Sequence, residues 1–399
     1  MAAVVLVLTV FSLVIWIGLL ILRGQFWRCD QQLEVAEIPL RSLPRICAVI
    51  PARNEADLLP ITLRSLLVQD YPGDFNVFLV DDRSNDGTAD FAQGVAYALN
   101  KPNQLHIISG KSLPAGWSGK LWAVEQGIQL ATEFAPDYFL LTDADIEHDI
   151  SSLRRLVAKA EQEDLDMVSV MVRLRCQSFW EQLLIPAFVF FFQKLYPFRW
   201  VNNPKNPTAA AAGGSILIRT AALEKIGGIG AIKQALIDDC ALAKAVKSNQ
   251  EWRQGRIWLG LSGLTRSLRP YPDLDTVWQM VARTAYTQLN YSPLLLVGTV
   301  LAMTLIYLIP PFATILGLLT LNWAMSGDKT PGVYALLGLS AWLLMTLAYY
   351  PTIRFYKCPP WLTFCLPAIA FLYTLMTVDS AIRHWQGRGG SWKGRVYPG

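Results

Sequence analysis

A chain of 399 residues that is 53% hydrophobic and only 17% charged departs from the usual composition of a soluble globular domain, and that pairing points to a membrane protein. Its net charge of +4 is too small to argue for a nucleic-acid partner. Six cysteines without a C-x-x-C pair, with only three histidines, argue against a zinc site or a disulfide framework and leave reduced structural thiols.

The chain opens on the uncharged stretch Ala2–Leu22. This apolar run exceeds a signal-peptide core, has no basic segment before it and is followed by Arg23 and Arg28. It reads as a retained transmembrane anchor over 1–23. The two arginines put the next domain on the cytoplasmic side of the cell (inner) membrane. Residues 40–290 have ordinary soluble character. Three further uncharged stretches, Ser292–Thr320, Gly332–Ile353 and Pro359–Val378, each reach the roughly 20 residues a crossing helix needs. They define a C-terminal membrane region over 291–380 in a multi-pass protein.

Counting crossings creates a conflict. With the domain inside, three later spans put the basic tail 381–399, with Arg383, Arg388, Lys393 and Arg395, outside, although basic segments favour the cytoplasm. Ile309-Pro310-Pro311 removes backbone donors, which marks Ser292–Thr320 as the interrupted stretch, either a re-entrant hairpin or two short pieces. Leu183–Phe198 is apolar, aromatic and carries Pro186 and Pro197. Too short to span comfortably, it is either a buried helix or an interfacial one. Lys194, Arg199 and Trp200 as anchors favour the interface.

Within 40–290, short apolar runs alternate with helical periods. Strands are expected at Arg45–Ile50, Asn76–Val80, Leu105–Ile108 and Tyr138–Leu141, and helices at Asp57–Val68, Gly87–Leu99, Lys120–Ala131 and Ile150–Glu161. This is the pattern of β-α-β units and a parallel sheet, whose ligands bind beyond the carboxyl ends of the strands. The polar motifs lie there. Pro51-Ala52-Arg53-Asn54-Glu55 follows the first strand and Asp81-Asp82-Arg83-Ser84-Asn85-Asp86-Gly87-Thr88 the second. Asp86, Gly87 and Thr88 suit a turn and a helix cap. The adjacent acids Asp81 and Asp82 need something cationic or donor-rich to meet them. Asp143-Ala144-Asp145 follows the fourth strand; two carboxylates so spaced can grip a hard divalent metal, Mg2+ or Mn2+, whose shell water and phosphates complete. Asp238-Asp239 is a further pair. Burial or the neighbouring charge raises a carboxyl pKa there, which suits a base, while acids are also favoured at a helix N-terminus.

The order P-x-R-N-E, D-D-x-S-x-D-G-T, G-W-x-G-K (Gly116–Lys120), T-D-A-D (Thr142–Asp145) and D-D resembles family 2 glycosyltransferases. Gly116-Trp117-Ser118-Gly119-Lys120 is similar to the ceramide-glucosyltransferase-like branch. Gly213–Ile218, Met280–Tyr286 and Trp392–Tyr397 resemble hopene-associated glycosyltransferases. The resemblance implies an α/β GT-A domain, Rossmann-like and of the nucleotide-diphospho-sugar transferase kind, with transmembrane helices at both ends. It implies that Pro51, Asn54, Glu55, Asp81 and Asp82 hold the base and ribose of a nucleotide-sugar donor, with Lys120 near its phosphates. It implies that Asp143 and Asp145 place a divalent metal on the diphosphate, and that Asp239, beside Asp238, deprotonates an acceptor hydroxyl. The reaction implied is a single displacement with inversion, from a UDP-sugar by the family's habit, to a membrane lipid acceptor. A role in hopanoid metabolism is implied by resemblance alone. Processive members carry Q-x-x-R-W. Aligned on Arg283, this chain has Met280 and Thr284 in place of the Gln and Trp, which counts against a polysaccharide synthase. Arg283 itself either meets the diphosphate or faces lipid headgroups. A non-catalytic membrane scaffold is the reading from another class, and the full set of carboxylates argues against it.

Overall fold

The computed structural model describes residues 2–35, 39–248, 255–321 and 329–388, and the backbone of 391–392 and 395–396. The Trp392–Tyr397 resemblance therefore lies largely outside the described residues. The strands are β1 (Ile46–Ala52), β2 (Phe75–Asp81), β3 (Leu105–Ser109), β4 (Tyr138–Thr142), β5 (Ile146–Glu147), β6 (Met167–Arg173), β7 (Ser215–Arg219) and β8 (Ile257–Ser267), with a small pair Ser391–Trp392 and Arg395–Val396. The helices before and within the sheet domain are α1 (Ala2–Leu22), α2 (Leu59–Leu67), α3 (Thr88–Ala98), α4 (Gly119–Ala131), α5 (Ser152–Gln162), α6 (Phe179–Leu195), α7 (Phe198–Val201), α8 (Thr220–Lys225), α9 (Asp238–Ser248) and α10 (Leu274–Ala282). After them come α11 (Pro293–Met303), α12 (Ile309–Leu321), α13 (Thr330–Phe355) and α14 (Leu366–Trp385).

The eight strands form one sheet in the order β3-β2-β1-β4-β7-β6-β8-β5. The first four are parallel, as the alternating pattern predicts. Beyond β4 the sheet is mixed: β7 is antiparallel to both β4 and β6, and β5 is antiparallel to β8. Strand β1 is buried at every position because helices cover both sheet faces. Its side chains alternate accordingly. Ile46, Ala48 and Ile50 join Leu59, Leu63, Ala92 and Leu156 in one apolar cluster. Cys47 and Val49 join Leu121, Val124 and Leu184 in the other. That second cluster continues through α6 into Tyr349, Ile369 and Met376, so the sheet domain and the C-terminal helices share one core.

Leu183–Phe198 does not break at Pro186. Helix α6 runs through it, capped by Ser178, with Leu184, Ile185, Pro186, Ala187, Val189 and Phe190 buried. Its inner face therefore has the character of a core helix.

Among the described residues four segments are long and apolar enough to cross a membrane: Ala2–Leu22, Pro293–Thr320, Thr330–Phe355 and Pro360–Trp385. Outward side chains such as Phe11, Val14, Leu294, Leu301, Leu319, Leu336 and Leu347 are exposed, an apolar belt of a size that soluble surfaces do not carry. The expected interruption at Ile309-Pro310-Pro311 is absent. The helix passes through a π-helical turn at Thr304–Leu308 and continues as α12. Proline at 310 cannot donate to the carbonyl four residues back. That carbonyl, of Ile306, accepts instead from Trp16 Nε1 at 2.8 Å and from Ser12 Oγ at 3.4 Å on α1. Satisfying the freed carbonyl from a neighbouring helix is what lets the prolines sit in an apolar helix.

The unusual segment is the last one. Just before it, Tyr356 O accepts from Arg173 at the end of β6, and Cys358 Sγ lies 3.4 Å from Cys176 Sγ, both on the sheet domain. Phe364 O then meets Trp342 Nε1, thirteen residues back along α13 from Phe355, or roughly 20 Å of helix rise. Helix α14 returns. Asp379 accepts from Trp278 on α10 at 2.7 Å, and Ser380 accepts from the Tyr286 amide at 3.0 Å. Both ends of 359–385 therefore lie against the sheet domain.

Candidate active site

Strand ends and helix starts converge on a cavity of about 830 Å³. Pro51 reaches it from the end of β1 and Glu55 from just beyond it, Asp143 and Asp145 from beyond β4, Lys120 from the first turn of α4, Asp238 and Asp239 from the first turn of α9, and Arg283 from the end of α10. Eight of the residues singled out from sequence thus line one space. Asn54, Asp81 and Asp82 do not line it but build the adjoining turns. Asn54, in a left-handed conformation (φ 51°), accepts from the Asn85 amide at 3.0 Å, and its own amide donates to Ser84 Oγ at 2.9 Å. Asp81 accepts from the Ser84 amide at 3.2 Å, and Asp82 lies 3.6 Å from Arg53 Nη1. A backbone donor and a guanidinium are what meet the two adjacent acids.

Lys120 is the electrostatic hub. Its Nζ lies 2.9 Å from Asp143 Oδ1 and 3.2 Å from Asp238 Oδ2. Ser118 caps α4 by accepting from the Leu121 amide, which fixes the turn that carries Lys120. Burial pulls the Lys120 pKa down, but the Asp143 and Asp238 carboxylates outweigh it and hold the ammonium charged. Burial pushes the Asp143 carboxyl up from its ordinary range, against the pull of Lys120. Asp239 Oδ2 accepts from the Gly213 amide at 2.9 Å and Oδ1 from the Cys240 amide at 2.7 Å. Burial first, and then the Asp238 charge, raise its pKa to about 7, with Lys120 and the two amides opposing. The pair also opens α9, so its position at a helix N-terminus and its placement in the cavity hold together.

Sequence reasoning missed two contributors and the role of a third. Arg269 Nε donates to Asp145 Oδ2 at 2.8 Å and its Nη2 to Glu55 Oε1 at 2.7 Å. The pairing of Ile146 with Ser267 brings it there, and no local motif marks it. His148 is buried behind the Asp143–Asp145 turn, and burial lowers its pKa to about 4, so it is neutral. Thr142 Oγ1 gives its proton to Gly214 O at 2.8 Å, so His148 Nε2, 2.9 Å away, is the donor in their hydrogen bond. Gly213 supplies the amide that orients Asp239.

Among the described residues no three His, Cys, Asp or Glu side chains converge as a metal cage. Asp143 and Asp145 are the donor set suited to a small hard cation that takes one or two carboxylates and completes its shell with phosphate and water. Each already binds a cationic side chain, so an arriving ion would share or displace that partner.

The family described as "Glycosyl transferase family 2" matches residues 47–227. No curated protein matches the chain in sequence. Among solved structures, the mannosyltransferase PcManGT from Pyrobaculum calidifontis, in complex with GDP-Man and Mn2+, is similar with a TM-score of 0.54 and 17% identity over 96% of this chain and 99% of that one. A Mycobacterium tuberculosis glucosyl-3-phosphoglycerate synthase with Mn2+, UDP and phosphoglyceric acid gives a TM-score of 0.42 at 15% identity, covering 66% of this chain and 86% of that one. Residues 47–227 form a glycosyl transferase family 2 domain on a GT-A fold.

Proposed function

We propose that this enzyme is a membrane-bound inverting glycosyltransferase that moves one sugar from a nucleotide-diphosphate sugar to a lipid acceptor. The observation that carries the reading is the composition of the large cavity. Its floor holds Asp143, Asp145, Asp238, Asp239 and Lys120, while Phe188, Phe192 and Met280 from α6 and α10 line it beside Ser380 of α14. A polar donor and an apolar acceptor both find complementary surface there.

Pro51 and Glu55, with Asn54, Asp81 and Asp82 shaping the turns beside them, bind the nucleoside. Lys120 and Arg283 face the diphosphate, for which charge-assisted bonds suit. Asp143 and Asp145 hold Mg2+ or Mn2+, which when bound stabilises the charge growing on the departing nucleoside diphosphate. Asp239 takes the proton from the acceptor hydroxyl as its oxygen attacks the anomeric carbon, and the Gly213 amide keeps the carboxylate aimed. A single displacement inverts that carbon.

The chain's topology follows from the same reading. Arg23 and Arg28 after α1 support a cytoplasmic catalytic domain at the cell (inner) membrane. With α11–α12 outward and α13 inward, a re-entrant 359–385 makes three crossings and leaves the basic tail on the cytoplasmic side, where basic segments belong. Resemblance points to hopanoid metabolism for the acceptor.

The test is sugar transfer by the purified full chain, with Mn2+, UDP- and GDP-sugars and extracted bacterial lipids, including hopanoids. A lipid product bearing one sugar is expected. A long polymer identifies a processive synthase. Absence of any product, together with absence of nucleotide binding, identifies a scaffold.

A further inference from the structure

Both acids of the Asp143–Asp145 turn are held by cations of this chain, and the two cations differ in kind. Lys120 is a point charge between Asp143 and Asp238. Arg269 is a fork: Nε donates to Asp145 Oδ2 at 2.8 Å and Nη2 to Glu55 Oε1 at 2.7 Å. The fork joins a residue of the nucleotide-binding turn to a residue of the metal turn. Its placement is rigid. Ile146 pairs with Ser267 across β5 and β8, and the Leu268 amide donates to Asp145 O at 2.8 Å. Asp145 and Glu55 are both largely buried, with side-chain exposures of 13% and 9%, so neither has much water to turn to if the guanidinium leaves.

A guanidinium and a divalent cation compete for the charge and orientation of the same carboxylate. A metal that ligates Asp145 draws its electron density and turns it toward the ion, which loosens the Arg269 contact on Oδ2. A nucleoside diphosphate arriving beside Glu55 offers the displaced guanidinium two anionic groups with the geometry its fork prefers. We propose that Arg269 is a positioning residue that clamps Asp145 to Glu55 in the donor-free site and yields Asp145 to the divalent cation when a nucleoside diphosphate takes up its guanidinium. Metal and nucleotide then bind interdependently, and the enhancement is the same in either order of addition. This rests on the reading that Asp143 and Asp145 hold a metal on the donor diphosphate.

The experiment measures Mn2+ binding to the detergent-solubilised full chain from the electron paramagnetic resonance signal of free Mn2+, without nucleotide and with saturating UDP or, in a separate arm, GDP. In the wild type one of the two nucleotides strengthens Mn2+ binding by about tenfold or more, within the usual range for coupled sites. In Arg269→Gln, Mn2+ alone binds several-fold tighter than in wild type, and the nucleotide's enhancement shrinks to about twofold. Arg269→Lys keeps one charge but cannot span both carboxylates, so it gives the same loss of coupling with the charge retained; it serves also if the glutamine variant does not fold. The clamp is overturned if Mn2+ alone binds folded Arg269→Gln no tighter than wild type, or if the nucleotide's enhancement is undiminished in either folded variant. If wild type binds no Mn2+ even with nucleotide, both the clamp and the metal reading fall. A purely structural ion pair predicts a lower melting temperature with unchanged coupling.

Discussion

Replacing Asp239 by asparagine separates chemistry from folding. The side-chain carbonyl of the introduced amide can still accept one of the two backbone amides, from Gly213 or Cys240, so about one hydrogen bond is lost, worth ~1 kcal/mol. Removing a buried negative charge beside Asp238 works in the opposite direction. The variant should fold with a stability within ~1 kcal/mol of wild type. Loss of a general base costs roughly 10²–10⁴ in rate, which is about 3–5 kcal/mol of transition-state stabilisation. The pH profile carries a second signature. A base works deprotonated, and burial with the Asp238 charge raises the Asp239 pKa to about 7. Wild-type turnover should therefore fall about tenfold per pH unit below 7 and level off above it. In Asp239→Asn that inflection disappears. Initial rates of transfer from about pH 5.5 to 8.5, with nucleotide affinity measured in parallel, decide the matter. If the variant keeps more than about a tenth of the wild-type rate, or keeps the inflection, Asp239 is not the base.

Three further outcomes follow from the packing. Gly127 lies where α4 crosses β1 and β2; a Cβ there would clash with Val49 Cγ1 and come within 3.0 Å of Val80 Cγ2. Gly127→Ala should thus lower the melting temperature, because overpacking costs about 1–3 kcal/mol against about 1 kcal/mol of helix propensity gained. Glu181 is fully buried and its carboxylate accepts from the Tyr271, Ser178 and Gln177 amides, while Arg175 lies 3.2 Å away. Glu181→Ala should destabilise by about 3 kcal/mol, read from thermal unfolding in detergent. These bonds outweigh burial and hold its pKa below the ordinary value, so its contribution is present above the unfolded carboxyl range and is lost as pH falls through the folded pKa. For topology, Gln386→Cys and Thr132→Cys in a cysteine-free background should react with an impermeant maleimide from the same face of the membrane, and Lys329→Cys from the opposite face. Labelling of Gln386→Cys together with Lys329→Cys would refute the re-entrant arrangement.

What the sequence reveals and conceals follows from how far each signal reaches. The first four strands and their helices are legible because each is a local period: buried runs such as Ile46–Ala52 alternate with amphipathic helices such as Ser152–Gln162. Strand direction is not local, so nothing in Ser215–Arg219 announces that it runs against β4. The acids of the cavity are legible because strand ends in α/β sheets gather ligands. Arg269 is invisible because its role arises from a register between β5 and β8, more than a hundred residues apart in the chain. Ile309-Pro310-Pro311 misleads for the same reason. The two prolines do remove donors, but Trp16 Nε1, nearly three hundred residues away in sequence, satisfies the carbonyl at 306.

The proposed re-entrant arrangement bears on what the membrane region is for. Hydropathy reads Pro360–Trp385 as one more span, since its length and apolarity suffice. Contacts give it a different task. Tyr356 is tied to the end of β6 and Cys358 to the loop after it, Tyr373 Oη donates to Leu184 O on α6 at 2.9 Å, and the C-terminal end of α14 brings Ser380, Arg383 and His384 to the cavity that holds the carboxylates. Arg383 is itself fixed there by Asp379 at 2.7 Å. A membrane anchor that only tethered the domain would have no reason to share its apolar core or to complete its cavity. Because it does both, the sheet domain and the C-terminal helices share one core and one cavity, and on the proposed function an acceptor would reach Asp239 past residues of both.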